Sequence, residues 1–265
     1  MLVILDGKKI SQELIESLAA ERQTLPPVLR LGFVLAEGNE ASASFVRMKE
    51  RLANKLQVVV LREEIHETAQ AVQAVERLVK STDGVIVQLP LPAQVDTDAV
   101  LRAIPPSHDI DAENPDTRSR FVRAPVAEAI SEILVRVNFS AAGKKAVVVG
   151  AGRLVGAPAA ELLKDVGANV SVITHTEGSL DELKDADIVV LGAGEPGLVQ
   201  PEMLKEGVLL IDAGTTEDKG RLAGDASPSC AEVARVFTPV PGGIGPIAVA
   251  MIFKNLFALA RLPKN

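Results

Sequence analysis

The sequence predicts an α/β protein of two domains, each built on a parallel sheet. Three observations carry that prediction. Short β-branched runs alternate with helical patterns along the chain, the arrangement that gives parallel strands joined by crossover helices. A polar, turn-forming stretch, Asp111-Ala-Glu-Asn-Pro-Asp-Thr-Arg-Ser-Arg, divides the alternation into two series. The second series opens on Lys145-Ala-Val-Val-Val-Gly150-Ala-Gly152-Arg-Leu-Val-Gly156-Ala-Pro158, a strand, a glycine turn and a helix start that together predict a Rossmann-type dinucleotide-binding domain.

In the first series the patterns place strands at 31–36, 58–62 and 84–88, and helices at 8–22, 41–55, 68–80 and 97–104. A helix at 126–137 leads to strands at 145–150, 169–173, 188–192 and 208–214. The domain junction is expected near Ala124. A strand-like lead-in, Val236-Phe237, enters Thr-Pro-Val-Pro-Gly-Gly-Ile-Gly-Pro, and an apolar helix over 247–262 leaves it. Three prolines and three glycines between Pro239 and Pro246 are expected to exclude both a helix and a central strand there.

Bulk composition removes several function classes. The 265 residues are 47% apolar, yet charge or glycine interrupts every long apolar run before the roughly 18 residues that a membrane span needs. The first residues lack a basic segment before their short apolar run, so no signal peptide is expected. A net charge of −7 argues against a nucleic-acid partner. The single cysteine, Cys230, excludes an internal disulfide and suits a reducing cytoplasm, while His66, His108 and His175 lie too far apart in sequence to suggest a metal site.

The glycine loop reads G-x-G-x-x-x-G, one residue longer than the usual dinucleotide fingerprint. Gly150 and Gly152 would let the backbone approach a pyrophosphate, and the helix that follows would offer unpaired N–H groups to it. At the end of the second strand of this domain stand Thr174-His175-Thr176, where an NAD-specific enzyme would often place an acid to hold the ribose 2′-OH. That favours NADP, with NAD possible.

Four blocks resemble the bifunctional methylenetetrahydrofolate dehydrogenase/methenyltetrahydrofolate cyclohydrolase family. TPVPGGIGP is similar to its TPVPGGVGPMT signature, and Asp83-Gly-Val-Ile-Val-Gln88-Leu-Pro-Leu-Pro92 to its DGILVQLPLP. Ala41-Ser-Ala-Ser-Phe45-Val-Arg-Met-Lys49 resembles ASxxYVxxKxK, and His108-Asp-Ile-Asp111-Ala112 resembles KDVDG. The resemblance extends over nearly the whole chain, through Val208-Leu-Leu-Ile-Asp212-Ala-Gly214 and Gly224-Asp225.

What the resemblance implies is specific. Domain 1–124 would be the catalytic, folate-binding domain, completed by a C-terminal helix at 247–265, and 125–246 the NAD(P)-binding domain. The cleft between the two would hold both ligands. Lys49 would be the central catalytic group, Gln88 would orient it, and Asp111 would hold the pterin through paired hydrogen bonds. Phe45 takes the place of the family tyrosine, and with Leu89, Pro90, Pro241, Gly242 and Gly243 would contact substrate. Gly150, Ala151, Gly152, Arg153, Val155, Gly156, His175, Thr176, Gly192, Gly214 and Thr215 would bind the cofactor. The expected reactions are oxidation of 5,10-methylenetetrahydrofolate with NADP and hydrolysis of the product to 10-formyltetrahydrofolate, by a cytoplasmic homodimer supplying purine biosynthesis.

The chain departs from the family at His108, Ala112, Ala124, Gly152, Thr215-Thr216 and Ala248 as well as Phe45. A single-activity or degenerate folate- or nucleotide-binding relative is therefore one alternative. A shikimate-dehydrogenase-like oxidoreductase, which shares a two-domain plan and a lysine/aspartate pair, is another.

Overall fold

The computed structural model describes residues 3–36, 40–116, 121–218 and 221–263, the side chains of 40–44, 217–218 and 221 excepted. The element order is β1 (Val3–Ile4), α1 (Gly7–Arg22), β2 (Leu29–Ala36), α2 (Glu40–Lys55), β3 (Val58–Ile65), α3 (Thr68–Ser81), β4 (Gly84–Val87), α4 (Thr97–Arg102) and α5 (Pro125–Arg136). It continues with β5 (Lys145–Val149), α6 (Gly156–Asp165), β6 (Asn169–Ile173), β7 (Ile188–Leu191), β8 (Leu209–Asp212), β9 (Thr216–Asp218), β10 (Arg221–Ala223), β11 (Val236–Thr238) and α7 (Ile244–Ala260). The chain separates into two compact units, one of Glu13–Pro125 with Val249–Asn265, the other of Met1–Gln12 with Val126–Ala248.

The first unit holds a three-stranded parallel sheet in the order β3-β2-β4. Parallel sheets bury both faces, and their strands accordingly read as apolar runs rather than alternations. Val85 and Val87 face Ala71, Ala74, Val75 and Leu78 of α3. Ile86 faces the other way, into a cluster with Phe33, Leu52, Phe253 and Phe257. The second unit holds a six-stranded parallel sheet, β1-β11-β8-β7-β5-β6, beside the antiparallel hairpin β9-β10. Its strand order reverses between β5 and β7, since β5 is followed by β6 on one side and β7 lies on the other. Such a switch point leaves a crevice at the carboxyl ends of the strands, where α/β proteins bind ligands.

The first twelve residues group by their contacts with the second unit, Val3 and Ile4 pairing with Val236 and Phe237 of β11. A two-residue strand carries no readable periodicity, so its pairing was invisible locally. Helix α7 starts at Ile244, inside the Pro/Gly cluster, with Gly245 and Pro246 in its first turn. Proline is tolerated there because the first helical N–H groups have no intrahelical partner to lose. Helix α4 ends at Arg102 rather than 104, although Ile104 remains buried just beyond it.

Among the described residues, no group of three or more His, Cys, Asp or Glu side chains could hold a metal ion, and no helix is long and apolar enough to cross a membrane. Cys230 is buried, and burial pushes its thiol up to about 11, so it stays protonated in the core.

Candidate active site

In α2 the residues Val46, Lys49, Leu52 and Ala53 are all buried, as is Leu56 just after its end. They recur at the three- and four-residue spacing of one helical face, so Lys49 occupies an inward position that the pattern would otherwise give to an apolar residue. Its ammonium donates to Oε1 of Gln88 at 3.0 Å. Gln88 follows β4 directly, its N–H bonded to the Val34 carbonyl. Its amide is turned by a second contact, Nε2 donating to the Leu89 carbonyl at 3.0 Å, which leaves Oε1 facing the lysine. A lysine buried to 9% exposure is rare without a partner, and here the partner is neutral. Phe45, one turn earlier on α2, is partly buried. Asp111 keeps part of its surface exposed, yet burial raises its carboxyl above the ordinary range, with the Lys49 charge acting against that shift.

The segment carrying Asp111 is held on both sides. His108 and Asp109 run beside β4, with the Val85 N–H bonded to the His108 carbonyl. The Asp109 carboxylate accepts from Glu113 N–H at 3.1 Å and Asn114 N–H at 2.9 Å, and burial pushes it up to about 6. Asn114 in turn donates to the carbonyls of Arg102 and Ile104. From α7, Asn255 donates to the Ile110 carbonyl at 2.8 Å and the Arg123 carbonyl at 2.7 Å. Asn255 was missed in the sequence, although Lys254-Asn255 is the one polar pair in an apolar helix, and its asparagine was a readable signal of a buried polar tether.

Ala112, at the position of the family glycine, adopts φ 54°. A side chain in the left-handed region costs about 1 kcal/mol, partly offset here by Cβ packing against the core cluster and by the entropy that glycine adds to the unfolded chain. Ala112→Gly should therefore raise stability by about 0.5 kcal/mol, and calorimetry should show the thermal midpoint rising by roughly 1–2 °C. A lower midpoint would mean that Cβ packing outweighs the strain.

In the second unit the carboxyl ends of β5, β7 and β8 gather the residues expected to bind a dinucleotide. Gly150 follows β5 with φ 95°, and a side chain there would strike the Gly192 carbonyl after β7. A Cβ on Gly156 would strike the Gly150 carbonyl, so these glycines let α6 start tight against the strand. Gly192 lies against Val155 in the same way. Ala151, Gly152 and Arg153 are exposed, and a Cβ on Gly152 would meet open space, so that position follows from no packing requirement. Val155, at the start of α6, makes no side-chain cap, while the Ala157 N–H donates to the Gly152 carbonyl at 3.0 Å and Pro158 carries no N–H, so an anion at this end would be met by the Gly156 N–H and the turn before it. His175 and Thr176 are exposed in a turn closed by the Thr174 hydroxyl, which accepts from Glu177 N–H at 3.1 Å. Gly214 and Thr215 follow β8, the glycine buried and the threonine exposed. Pro241, Gly242 and Gly243 lie between β11 and α7, where the Gly242 carbonyl accepts from Gly7 N–H at 2.9 Å. The segment 37–39, before α2, lies outside the described residues, as does 117–120, the end of the turn-forming stretch that divides the two series.

Two family models match this chain. Residues 5–111 match the catalytic domain of tetrahydrofolate dehydrogenase/cyclohydrolase, and residues 124–263 match its NAD(P)-binding domain. The chain belongs to the tetrahydrofolate dehydrogenase/cyclohydrolase family. Its sequence is 38% identical over 274 residues to the bifunctional protein FolD of Methanoculleus marisnigri, covering 98% of this chain and 97% of that one. Among solved structures, the bifunctional FolD methylenetetrahydrofolate dehydrogenase/cyclohydrolase of Campylobacter jejuni superposes with a TM-score of 0.93 at 28% identity, over 98% and 99% of the two chains. The Trypanosoma brucei methylenetetrahydrofolate dehydrogenase-cyclohydrolase, solved with NADP and an inhibitor, gives 0.90 at 30% identity, over 98% of this chain and 97% of that one. Membership explains why a lysine occupies the inward face of α2 and why a glycine cradle opens the second unit. It also leaves the shikimate-dehydrogenase-like alternative without support.

Proposed function

We propose that this protein oxidises 5,10-methylenetetrahydrofolate with NADP and hydrolyses the resulting 5,10-methenyltetrahydrofolate to 10-formyltetrahydrofolate. The observation that carries the reading is the buried Lys49–Gln88 contact, next to Asp111, in a unit matched by the family's catalytic-domain model. Asp111 binds the pterin, whose amino group and ring N–H suit a carboxylate accepting both. Phe45, Leu89, Pro90, Pro241, Gly242 and Gly243 contact the substrate. In the hydrolytic step water adds to the methenyl carbon, the bond from that carbon to N5 breaks, and Lys49 relays one water proton to N5, giving up a proton as it takes one, while the other leaves to solvent; Gln88 fixes where the lysine nitrogen points.

The glycine turn at Gly150 and Gly152, the uncapped start of α6 and the turn at His175-Thr176 suit a dinucleotide phosphate. NADP supplies the hydride acceptor when bound. The backbone at Gly150–Arg153 holds its pyrophosphate and the Thr174–Thr176 turn its ribose end, with Gly192, Gly214 and Thr215 at the remaining strand ends. The working form is a cytoplasmic homodimer, and its product is a one-carbon donor of the kind purine biosynthesis consumes.

The test is to follow absorbance of the methenyl species with purified protein, methylenetetrahydrofolate and either NADP or NAD. With Thr174-His175-Thr176 directly after β6 and Glu177 only where that turn closes, kcat/KM should favour NADP by roughly tenfold, the worth of one charge-assisted hydrogen bond. A higher value with NAD would overturn the cofactor assignment. No methenyl formation with either cofactor would overturn the activity.

A further inference from the structure

Two buried carboxylates in the second unit have no part in the chemistry above. Asp212, 1% exposed, ends β8, and Asp225, fully buried, follows β10. The Asp225 carboxylate accepts three successive backbone N–H groups from the loop after β7: Ala193 at 2.7 Å and Gly194 at 3.1 Å on Oδ2, and Glu195 at 2.8 Å on Oδ1. The Asp212 carboxylate accepts the Asp225 N–H itself at 3.2 Å, with Gly214 N–H at 3.0 Å and Ala226 N–H at 2.9 Å. Asp212 is held in turn by Thr238, whose hydroxyl accepts the Asp212 N–H at 2.8 Å. One carboxylate is thus fixed by the other, and between them they set the backbone that follows β7 and β8. Thr216 adds a further tie, its hydroxyl donating to the Gly194 carbonyl at 2.8 Å.

We propose that Asp225, held by Asp212, is a positioning residue for the nicotinamide cofactor, acting through the Gly192–Glu195 loop and the Gly214 turn that frame the dinucleotide site. The inference rests on the functional reading above. Three features favour it over a general structural role. Six converging N–H donors demand acceptor-only groups, which rules out an amide or hydroxyl at either place. The loops so fixed carry Gly192 and Gly214, at two of the strand ends that gather around the Gly150 turn, and Gly192 packs on Val155 and Gly150. A Cβ on Gly214 would strike the Asp225 carboxylate, and one on Gly224 the Asp212 carboxylate, so the backbone itself is shaped to admit these groups. The arrangement also carries an electrostatic cost. Burial, with Asp225 adding to it, pushes Asp212 up to about 6, a cost a neutral turn would avoid.

The test uses the full-length protein and Asp225→Asn, which keeps the volume but turns an NH₂ toward N–H donors, with Thr216→Val as a milder variant that removes one tie to the same loop. The dissociation constant of NADPH, read from its own fluorescence, should rise at least tenfold in Asp225→Asn and severalfold in Thr216→Val. KM for NADP should rise in parallel, while hydrolysis of methenyltetrahydrofolate and KM for the folate stay within about twofold of wild type. Amide hydrogen exchange at Ala193, Gly194 and Glu195 should quicken in Asp225→Asn, with the strand Ile188–Leu191 unchanged. This last readout needs neither ligand nor turnover, so it separates failure of the proposal from failure of the functional reading: an inactive wild type sinks the reading alone. Unchanged loop exchange, unchanged NADPH affinity, or a fall of both activities in step would each overturn the positioning role. If Asp225→Asn does not fold, Thr216→Val decides: wild-type NADPH affinity and loop exchange would refute the proposal.

Discussion

Replacing Lys49 with methionine should abolish the cyclohydrolase activity, by a factor of roughly 10²–10⁴, and lower the dehydrogenase activity far less. The two steps differ in what they ask of the protein. Hydride transfer moves no proton, whereas hydrolysis of the methenyl cation must take one from the attacking water. Methionine keeps most of the apolar stem within the buried stripe of Val46, Leu52, Ala53 and Leu56 but removes the ammonium that bonds Gln88. Dehydrogenase activity should therefore drop by no more than about tenfold, one hydrogen bond's worth of positioning. Phe45→Tyr, which supplies a hydroxyl one turn before the lysine, should raise the hydrolytic rate. Separate assays of the two steps give the answer. Equal losses in both, or none in either, would remove Lys49 from the hydrolytic role.

Asp111→Ala should weaken folate binding by about 2–4 kcal/mol, roughly 30- to 1000-fold, and leave NADP binding as it was. Asp111 belongs to the unit of Glu13–Pro125, while the glycine turn at Gly150 and the start of α6 belong to the other. The segment around Asp111 is fixed by Asp109, Asn114 and Asn255, none of which needs its carboxylate, so the variant should keep its backbone. Calorimetric titration with folate and with NADP in turn measures both affinities. An unaltered folate affinity would move the pterin site elsewhere in the molecule.

Much of this architecture was legible in the residues, for identifiable reasons. Helices α2, α3 and α5 were found to within a residue or so because each carries a long apolar stripe. The strands β5, β6 and β7 were found because buried parallel strands read as unbroken runs of Val and Ile. What escaped notice depends on partners distant in sequence. Strand β1 and the hairpin β9-β10 are two or three residues long, too short for any period, and exist only through pairing. In the site, Lys49 and Gln88 could be named from their motifs, and they meet at 3.0 Å. The groups that fix the backbone within each unit could not. Asp109 and Asp225 look like ordinary loop acids in the sequence and Asp212 like a strand residue, and nothing local announces that their carboxylates are buried against backbone N–H groups.

The interleaving of the two units has a consequence for how the chain is made. Strand β1 pairs with β11, roughly 230 residues further on, and the sheet of β2, β3 and β4 packs against Phe253 and Phe257 of α7. Contacts of such long sequence separation form late, because closing a large loop precedes the packing that rewards it. As the ribosome delivers the chain from its N-terminus, the strands of the first unit emerge early, yet the helix that covers Phe33 and Ile86 emerges last. Through most of synthesis the part of that face left uncovered by α1 and α2 is apolar and open, a surface that chaperones hold and that promotes aggregation where they do not. A chain interrupted at Pro125 leaves that part bare.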